Sequence, residues 1–318
     1  MKSPRRVESI VKQAEDDGVR LDVYVAERLG LFSRSQARAR ILSASVNGTP
    51  ARLARKLRVG DVVSVEWADP PPSELAPEDI PLVVLFENDD VVVVDKPQGM
   101  IVHPGSGNRA GTLVNALLFR YAGLSREFDE HNARPGIVHR LDKETSGIIV
   151  VARNARAHEM LAAQFRDRTT RKRYLAVVQG APRESEGRIE NRLARDPRDR
   201  KKFACVLSGG RTASTRYRVL KRFTAGSSAY SLVLLAPRTG RTHQLRVHMR
   251  SLGTPILGDA VYGRRDPRFP DARLMLHARS LSIRLPGEEK PRTFVAPLPP
   301  RLLGLIRQLQ SFSPSTGL

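Results

Sequence analysis

A single cysteine, Cys205, stands in a chain of 318 residues, so no intramolecular disulfide framework and no cysteine-rich metal site can be built. Long apolar runs are also missing. The longest, such as Leu82 to Phe86, have the length of a strand and fall far short of the roughly 20 residues that span a bilayer. The charged start Met1-Lys2-Ser3-Pro4-Arg5-Arg6 is not followed by an apolar signal core. No long helix with a Lys/Arg face and a Trp/Phe/Leu reverse is legible, which argues against a membrane surface as partner. Neither a P-loop nor a dinucleotide fingerprint occurs. These absences predict a soluble, cytoplasmic protein with no membrane partner and no nucleotide cofactor.

Negative charge is the other scarcity. Thirty-three Asp and Glu face 54 Lys and Arg, a formal net charge of +21. Excess charge of one sign opposes compactness and persists where it meets a polyanion. Nucleic acid is therefore the leading partner, and arginine, whose planar fork suits bidentate phosphate contacts, supplies most of the charge. A partner-free solvated surface is the alternative. The length suits two domains better than one.

Residues 1–17 read as a polar leader. A small module follows over residues 18–75. Leu21, Val25 and Leu29 recur at helical spacing, and Ser33 is a candidate N-cap for a second helix, Arg34 to Ser43. Asn47-Gly48 signals a tight turn, and Gly60 to Trp67 reads as a turn into a strand. Arg34, Arg38, Lys56 and Arg58 give this module a phosphate-binding surface. Its order of elements resembles the S4 RNA-binding domain. Asp69-Pro70-Pro71-Pro72-Ser73-Glu74 forms a linker. A larger domain covers 76–311, ending in a tail at 312–318. Its strand candidates are Val91–Val94, Ile148–Ala152, Tyr174–Val178, Ser214–Leu220, Ser231–Leu235 and Gln244–His248. Its helix candidates are Thr112–Tyr121 and Ala155–Asp167. Strands outnumber helices without simple strand–helix–strand repeats, which predicts an α+β fold with a large mixed, mainly antiparallel sheet.

Five segments of the large domain concentrate chemistry. In His139-Arg140-Leu141-Asp142-Lys143-Glu144-Thr145-Ser146-Gly147, Arg140 and Asp142 share a face if the chain is extended. A carboxylate beside a guanidinium stays ionised and can act as nucleophile or electrostatic stabiliser. A structural pair at a sheet rim is the plainer reading. Asp95 to Gly107 is a Pro/Gly-punctuated loop that either cradles phosphates through backbone N–H groups or is simply structural. In Thr170-Arg171-Lys172-Arg173-Tyr174, Lys172 and Tyr174 share a strand face, a cation beside an aromatic plate suited to an unpaired base. Gly240-Arg241-Thr242-His243-Gln244-Leu245-Arg246-Val247-His248 is too polar for a plain core strand, because buried charges need partners. Here Arg246 is a candidate partner for Asp142. His243 and His248 fall on opposite strand faces with no cysteine or carboxylate cluster nearby, so no metal site is expected. Leu276-His277-Ala278 supplies an apolar wall.

Taken in order, these segments resemble the pseudouridine synthases of the RluA/RluD family, over nearly the whole chain up to Phe294-Val295-Ala296-Pro297-Leu298-Pro299. The resemblance implies an isomerase that converts uridine in RNA to pseudouridine without metal or redox cofactor, most similar to the branch acting on 23S ribosomal RNA, with no obligate protein partner. It implies Asp142 as the catalytic aspartate, whose first step, attack on the ribose C1′ or removal of a ribose proton, is left open. It further implies that Tyr174 stacks on the uracil, Arg246 keeps Asp142 ionised, Arg140 fills the gap of a flipped nucleotide, and Leu276 packs near the base. Lys172, Arg241 and His243 would contact RNA. A nucleoside hydrolase would need a second suitably placed carboxylate, and Glu144 is expected to be exposed instead. An RNA-binding assembly protein would have no reason to carry Asp142, Tyr174 and Arg246 together.

Overall fold

The computed structural model describes residues 5–31, 37, 40–68, 75–105, 108–124, 128, 134–199 and 202–312. The chain divides into two compact units, Met1–Glu74 and Leu75–Leu318.

The first unit is a four-stranded antiparallel sheet in the order β1-β4-β2-β3, with β1 at Arg5–Ile10, β2 at Ile41–Val46, β3 at Thr49–Pro50 and β4 at Val62–Trp67. Helix α1, Leu21–Glu27, contributes Leu21, Tyr24 and Val25 to a core completed by Val46, Leu57, Val63, Val65 and Trp67. Asn47 and Gly48 take the left-handed conformation (φ 53° and 75°) that a two-residue hairpin turn requires. Two expectations are corrected. The supposed leader contains a strand, since β1 pairs with β4 from Arg5 opposite Trp67 to Ile10 opposite Val62. As an edge strand it tolerates the charges that made it read as polar tail. The expected helix 34–43 cannot extend to Ser43, because β-branched Ile41 opens β2 opposite Trp67. Ser33, Arg34 and Arg38 lie outside the described residues.

The second unit is built on a ten-stranded sheet. Its strands are β5 (Val83–Glu87), β6 (Val91–Lys96), β7 (Ser146–Ala152), β8 (Arg171–Gln179), β9 (Glu186–Arg195), β10 (Phe203–Val206), β11 (Arg211–Ala225), β12 (Ser228–Pro237), β13 (Leu276–Ile283) and β14 (Arg292–Val295). The order is β10-β9-β11-β12-β8-β13-β7-β6-β5, with β14 added to β13. Only β13 and β7 run parallel; the other pairs are antiparallel. The expected α+β fold with a large, mainly antiparallel sheet is borne out.

Strands β6 and β7 are apolar without alternation because both sheet faces are covered, and every residue of β7 is buried. Helices α2 (Leu113–Arg120) and α3 (Ala155–Arg166) seal this half through Leu113, Leu117, Ala157 and Leu161. Both begin on side-chain caps, Thr112 with Asn115 in a capping box and Asn154 accepting from the Ala157 N–H. The other half of the sheet packs on α4 (Gln244–Ser251) and α5 (Pro300–Phe312) through Leu245, Met249, Leu302, Leu305 and Leu309. Helix α5 runs one residue into the expected tail.

Helix α4 corrects the strand expected over Gln244–His248. Leu245, Val247 and Met249 mimic strand alternation, but Gln244, Arg246 and His248 are buried as well. With both sets inside, alternation carries no information, and the partners available to the polar groups decide the conformation.

The parallel pair places Gly147 opposite Ala278. Gly147 has φ 114°, and a Cβ there would lie 2.3 Å from the Ala278 carbonyl oxygen. Gly147→Ala is expected to lower unfolding free energy by roughly 2–4 kcal/mol through backbone strain and collision. Urea denaturation reads this directly; an unchanged midpoint would refute the close approach.

Candidate active site

A cleft of about 440 Å³ opens beside β8, lined by the loop before β7, the turn before α4 and the start of β13. It brings together Arg140, Asp142, Lys172, Tyr174, Arg241, His243, Arg246 and Leu276. Lys56 and Arg58 belong to the first unit, where both are exposed. Asp142 is the one carboxylate among the lining residues, set against Arg140, Arg166, Arg168, Lys172, Arg238, Arg241 and Arg246.

Asp142 sits on a loop that its neighbours pin. The Thr145 N–H donates to the Asp142 carbonyl at 3.0 Å, closing a turn. Fully buried Lys96 donates through Nζ to the carbonyls of Pro97 and Met100, both at 2.8 Å, and of Lys143 at 3.3 Å. Burial pulls its pKa down to about 7. Gln98 donates to the carbonyls of Glu144 and Leu274, and the Gly99 N–H to that of Lys143. The Pro/Gly loop at 95–99 is thus a clamp on the Asp142 loop. Glu144, expected in solvent, is half-buried and held by Arg273 in a bidentate pair at 2.8–3.0 Å. His139 takes a structural place. Its Nε2 accepts the Val150 N–H at 3.0 Å, its ring stacks on Phe165 at 4.5 Å, and burial drives its pKa down to about 3.

Arg246 comes from the buried face of α4. Its principal partner is Asp259, a residue that sequence reasoning missed. Nε and Nη2 each reach an Asp259 oxygen at 2.7 Å, while Nη1 lies 3.5 Å from Oδ2 of Asp142. Arg246 therefore meets Asp142 as expected, but with only one nitrogen. Asp259 also accepts the N–H groups of Val261 and Tyr262 at 2.9 and 3.0 Å. Burial alone would raise its carboxyl, but Arg246 and these N–H groups outweigh it and hold the pKa below the usual range. One signal for Asp259 was in the sequence: a carboxylate inside Pro255-Ile256-Leu257-Gly258-Asp259-Ala260-Val261 needs a buried cation.

Tyr174 and Leu276 form the apolar wall, Leu276 lying opposite Ala176 in the β8–β13 ladder. Burial, and then the charge of Asp142, raise the Tyr174 phenol, so the ring is neutral at ordinary pH. Arg140 is exposed at the rim. The turn carrying Arg241 is set by Gln244, whose Oε1 accepts from Thr239 Oγ1 at 2.7 Å and from the Arg241 N–H at 3.0 Å. Gln244 Nε2 donates in turn to Thr215 Oγ1. His248 hydrogen-bonds Thr215 and Asn191 through its two ring nitrogens, a buried structural role.

Residues 90–251 match the family model of RNA pseudouridylate synthases. The chain belongs to this family. It is 40% identical to ribosomal large subunit pseudouridine synthase D of Borreliella burgdorferi, over 91% of this chain and 89% of that protein. The protein of the same name from Xanthomonas campestris pv. campestris is 42% identical over 93% and 90%. Among solved structures, human RNA pseudouridylate synthase domain containing 1 superposes with a TM-score of 0.57 at 28% identity, covering 77% of this chain and 98% of that one. The RluA/RluD resemblance is thereby borne out, and the enzyme class is that of the RNA-modifying isomerases. Among the described residues no helix is long and apolar enough to cross a membrane.

Because Asp259 has a lowered carboxyl pKa, its contribution to stability is present above the unfolded value, about 4, and is lost as pH falls through the lower folded value. Asp259→Asn is expected to destabilise the protein at pH 7 by about 3–5 kcal/mol, as for a broken buried pair. It should also flatten the loss of stability below about pH 4. Equilibrium unfolding at pH 7 and pH 3.5 tests both; parallel pH dependence in variant and wild type would contradict the linkage.

Proposed function

We propose that this enzyme isomerises uridines in large-subunit ribosomal RNA in the cytoplasm, with Asp142 as its catalytic residue. The observation that carries the reading is the lone carboxylate at the base of a strongly basic cleft, beside a neutral tyrosine ring. The names of the relatives from Borreliella and Xanthomonas support the choice of RNA. The overall change moves the ribose C1′ bond from N1 to C5 of the same uracil, C5 giving up its proton and N1 taking one up; nothing is oxidised or hydrolysed. Attack at C1′ and removal of a ribose proton both use Asp142 as a carboxylate, whose Oδ2 is approached by Arg246 Nη1 at 3.5 Å.

The target nucleotide must leave the stack to reach this carboxylate, at a cost of a few kcal/mol. Tyr174 returns part of that cost by stacking on the uracil, and Leu276 closes the apolar side. Arg140, exposed at the rim, occupies the space the nucleotide vacates. Lys172 and Arg241 meet the phosphate backbone. In the first unit, Lys56 and Arg58, with Arg34 and Arg38, add the sequence-independent affinity of an S4-like module.

Tritium release from ribosomal RNA labelled at uridine C5 tests this reading. Asp142→Asn should lower release by at least about 10³-fold, roughly 4 kcal/mol of transition-state stabilisation, with RNA affinity retained. Full activity in that variant would overturn the assignment. Tyr174→Phe should stay within about tenfold of wild type, whereas Tyr174→Ala should lose about 1–3 kcal/mol of stacking. An inactive phenylalanine variant would transfer the proton step to the hydroxyl.

A further inference from the structure

His243 stands at the head of α4 with φ 55°, a left-handed backbone uncommon outside glycine. Its side chain is held by Tyr262. The two rings meet edge to face at 5.5 Å, and Tyr262 Oη lies 2.9 Å from His243 Nδ1. The same Oη accepts the Phe203 N–H at 2.8 Å. That acceptance decides where the protons are. If Nδ1 carried the imidazole proton, the buried phenol would receive two donors and its own proton would have no acceptor among the described residues. If the phenol donates to Nδ1 instead, every group is satisfied and the neutral imidazole carries its proton on Nε2.

Nε2 lies 4.0 Å from Oδ2 of Asp142, the same oxygen that Arg246 Nη1 approaches at 3.5 Å. Oδ1 of Asp142 has no hydrogen-bond partner among the described residues. Arg246 Nη1 is within hydrogen-bond reach of Oδ2, and His243 Nε2 faces the same oxygen from 4.0 Å, beyond hydrogen-bond distance but near enough to close on it when substrate tightens the site. We infer that His243 is a positioning residue, a neutral Nε2–H donor that, with Arg246, fixes Oδ2 of Asp142 and presents Oδ1 to the ribose. The inference rests on Asp142 being the catalytic group, and it gives His243 a task other than contact with RNA phosphate. A neutral donor suits the place: Arg246 and Arg140 already lie nearby, and burial holds the imidazole pKa below its ordinary value. A second full cation on Asp142 would make the carboxylate less reactive.

Two experiments separate this inference from the reading it rests on. The first does not depend on turnover: ¹⁵N NMR of the histidine-labelled full chain at neutral pH should show His243 protonated at Nε2 and bare at Nδ1. The opposite tautomer, or an imidazolium, overturns the inference whatever the enzyme does. The second is tritium release under single-turnover conditions with RNA binding measured in parallel. His243→Ala should slow the chemical step at least tenfold and leave the Kd for RNA within twofold. His243→Gln, whose amide can place a donor near Nε2, should return the rate to within about threefold of wild type. Tyr262→Phe should slow wild type several-fold but have no added effect on His243→Gln, which has no tautomer to set. Weakened, salt-sensitive RNA binding with an unchanged rate in His243→Ala would make His243 a phosphate contact. A glutamine variant as slow as alanine would leave it a packing residue. Failure of Asp142→Asn to lower release would instead remove the parent reading.

Discussion

The bidentate pair between Arg246 and Asp259 is the contact on which the site depends. A guanidinium this deeply buried requires a charge partner, and Asp142 is the obvious one. Had Arg246 closed on Asp142 with both prongs, the fork would have covered both carboxylate oxygens. Asp259 prevents this by taking Nε and Nη2 at 2.7 Å each, leaving Nη1 to touch a single oxygen of Asp142 at 3.5 Å. The buried pair is close to neutral as a unit, so Asp142 is left with a single guanidinium contact instead of a closed two-pronged salt bridge. Tyr262 completes the arrangement. Its ring lies under the Arg246 guanidinium at 5.0 Å, and its backbone N–H also donates to Asp259.

Around this pair the fold uses backbone carbonyls as anchor points. Lys96, Gln98 and Arg301 are long polar side chains that reach carbonyls rather than solvent. Arg301, on α5, donates to the Leu274 carbonyl at 3.0 Å and to Ser146 Oγ at 2.6 Å. Loops cannot bury their carbonyls unpaired, so each such side chain both satisfies a loop and fixes its position. The loops around the cleft are therefore pinned at several points, although Asp142 is on neither a helix nor a strand.

Much of this was legible beforehand, for identifiable reasons. The strands β6, β7, β8 and β12 show as apolar or alternating runs, and the helices α2 and α3 carry good periodicity. Asp142, Tyr174, Arg246 and Leu276 were selected together, and the fold does bring them to one cleft. Helix α4 was misread because its polar side chains are buried as deeply as its apolar ones. Strand β1 was missed because Arg5, Arg6 and Glu8 conceal an edge strand whose ladder comes from β4. Asp259, Tyr262 and Gln244 were missed for another reason. Their work is done through contacts with residues that only the folded chain brings near, and a short motif holds no record of who its partner is. Tautomer and oxygen selection at Asp142 are properties of angstrom-scale distances and leave no trace in composition.

The one parallel strand pair of the large sheet among the described residues sets a timetable. Ser146 at the start of β7 meets His277 at the start of β13, 131 residues later in the chain, and Ser146 also waits for Arg301, 155 residues later. Contacts between residues so far apart in the chain are slow to form, although the entropic cost of closing the loop grows only as the logarithm of its length. The Asp142 loop leads directly into β7, while the Leu276 wall opens β13. During synthesis Asp142 and Tyr174 are made well before Arg246, and Leu276, which supplies the cleft wall, and Arg301, which braces Ser146, follow only after that. A chain truncated before β13 would carry Asp142, Tyr174 and Arg246 without the Leu276 wall of the cleft they line.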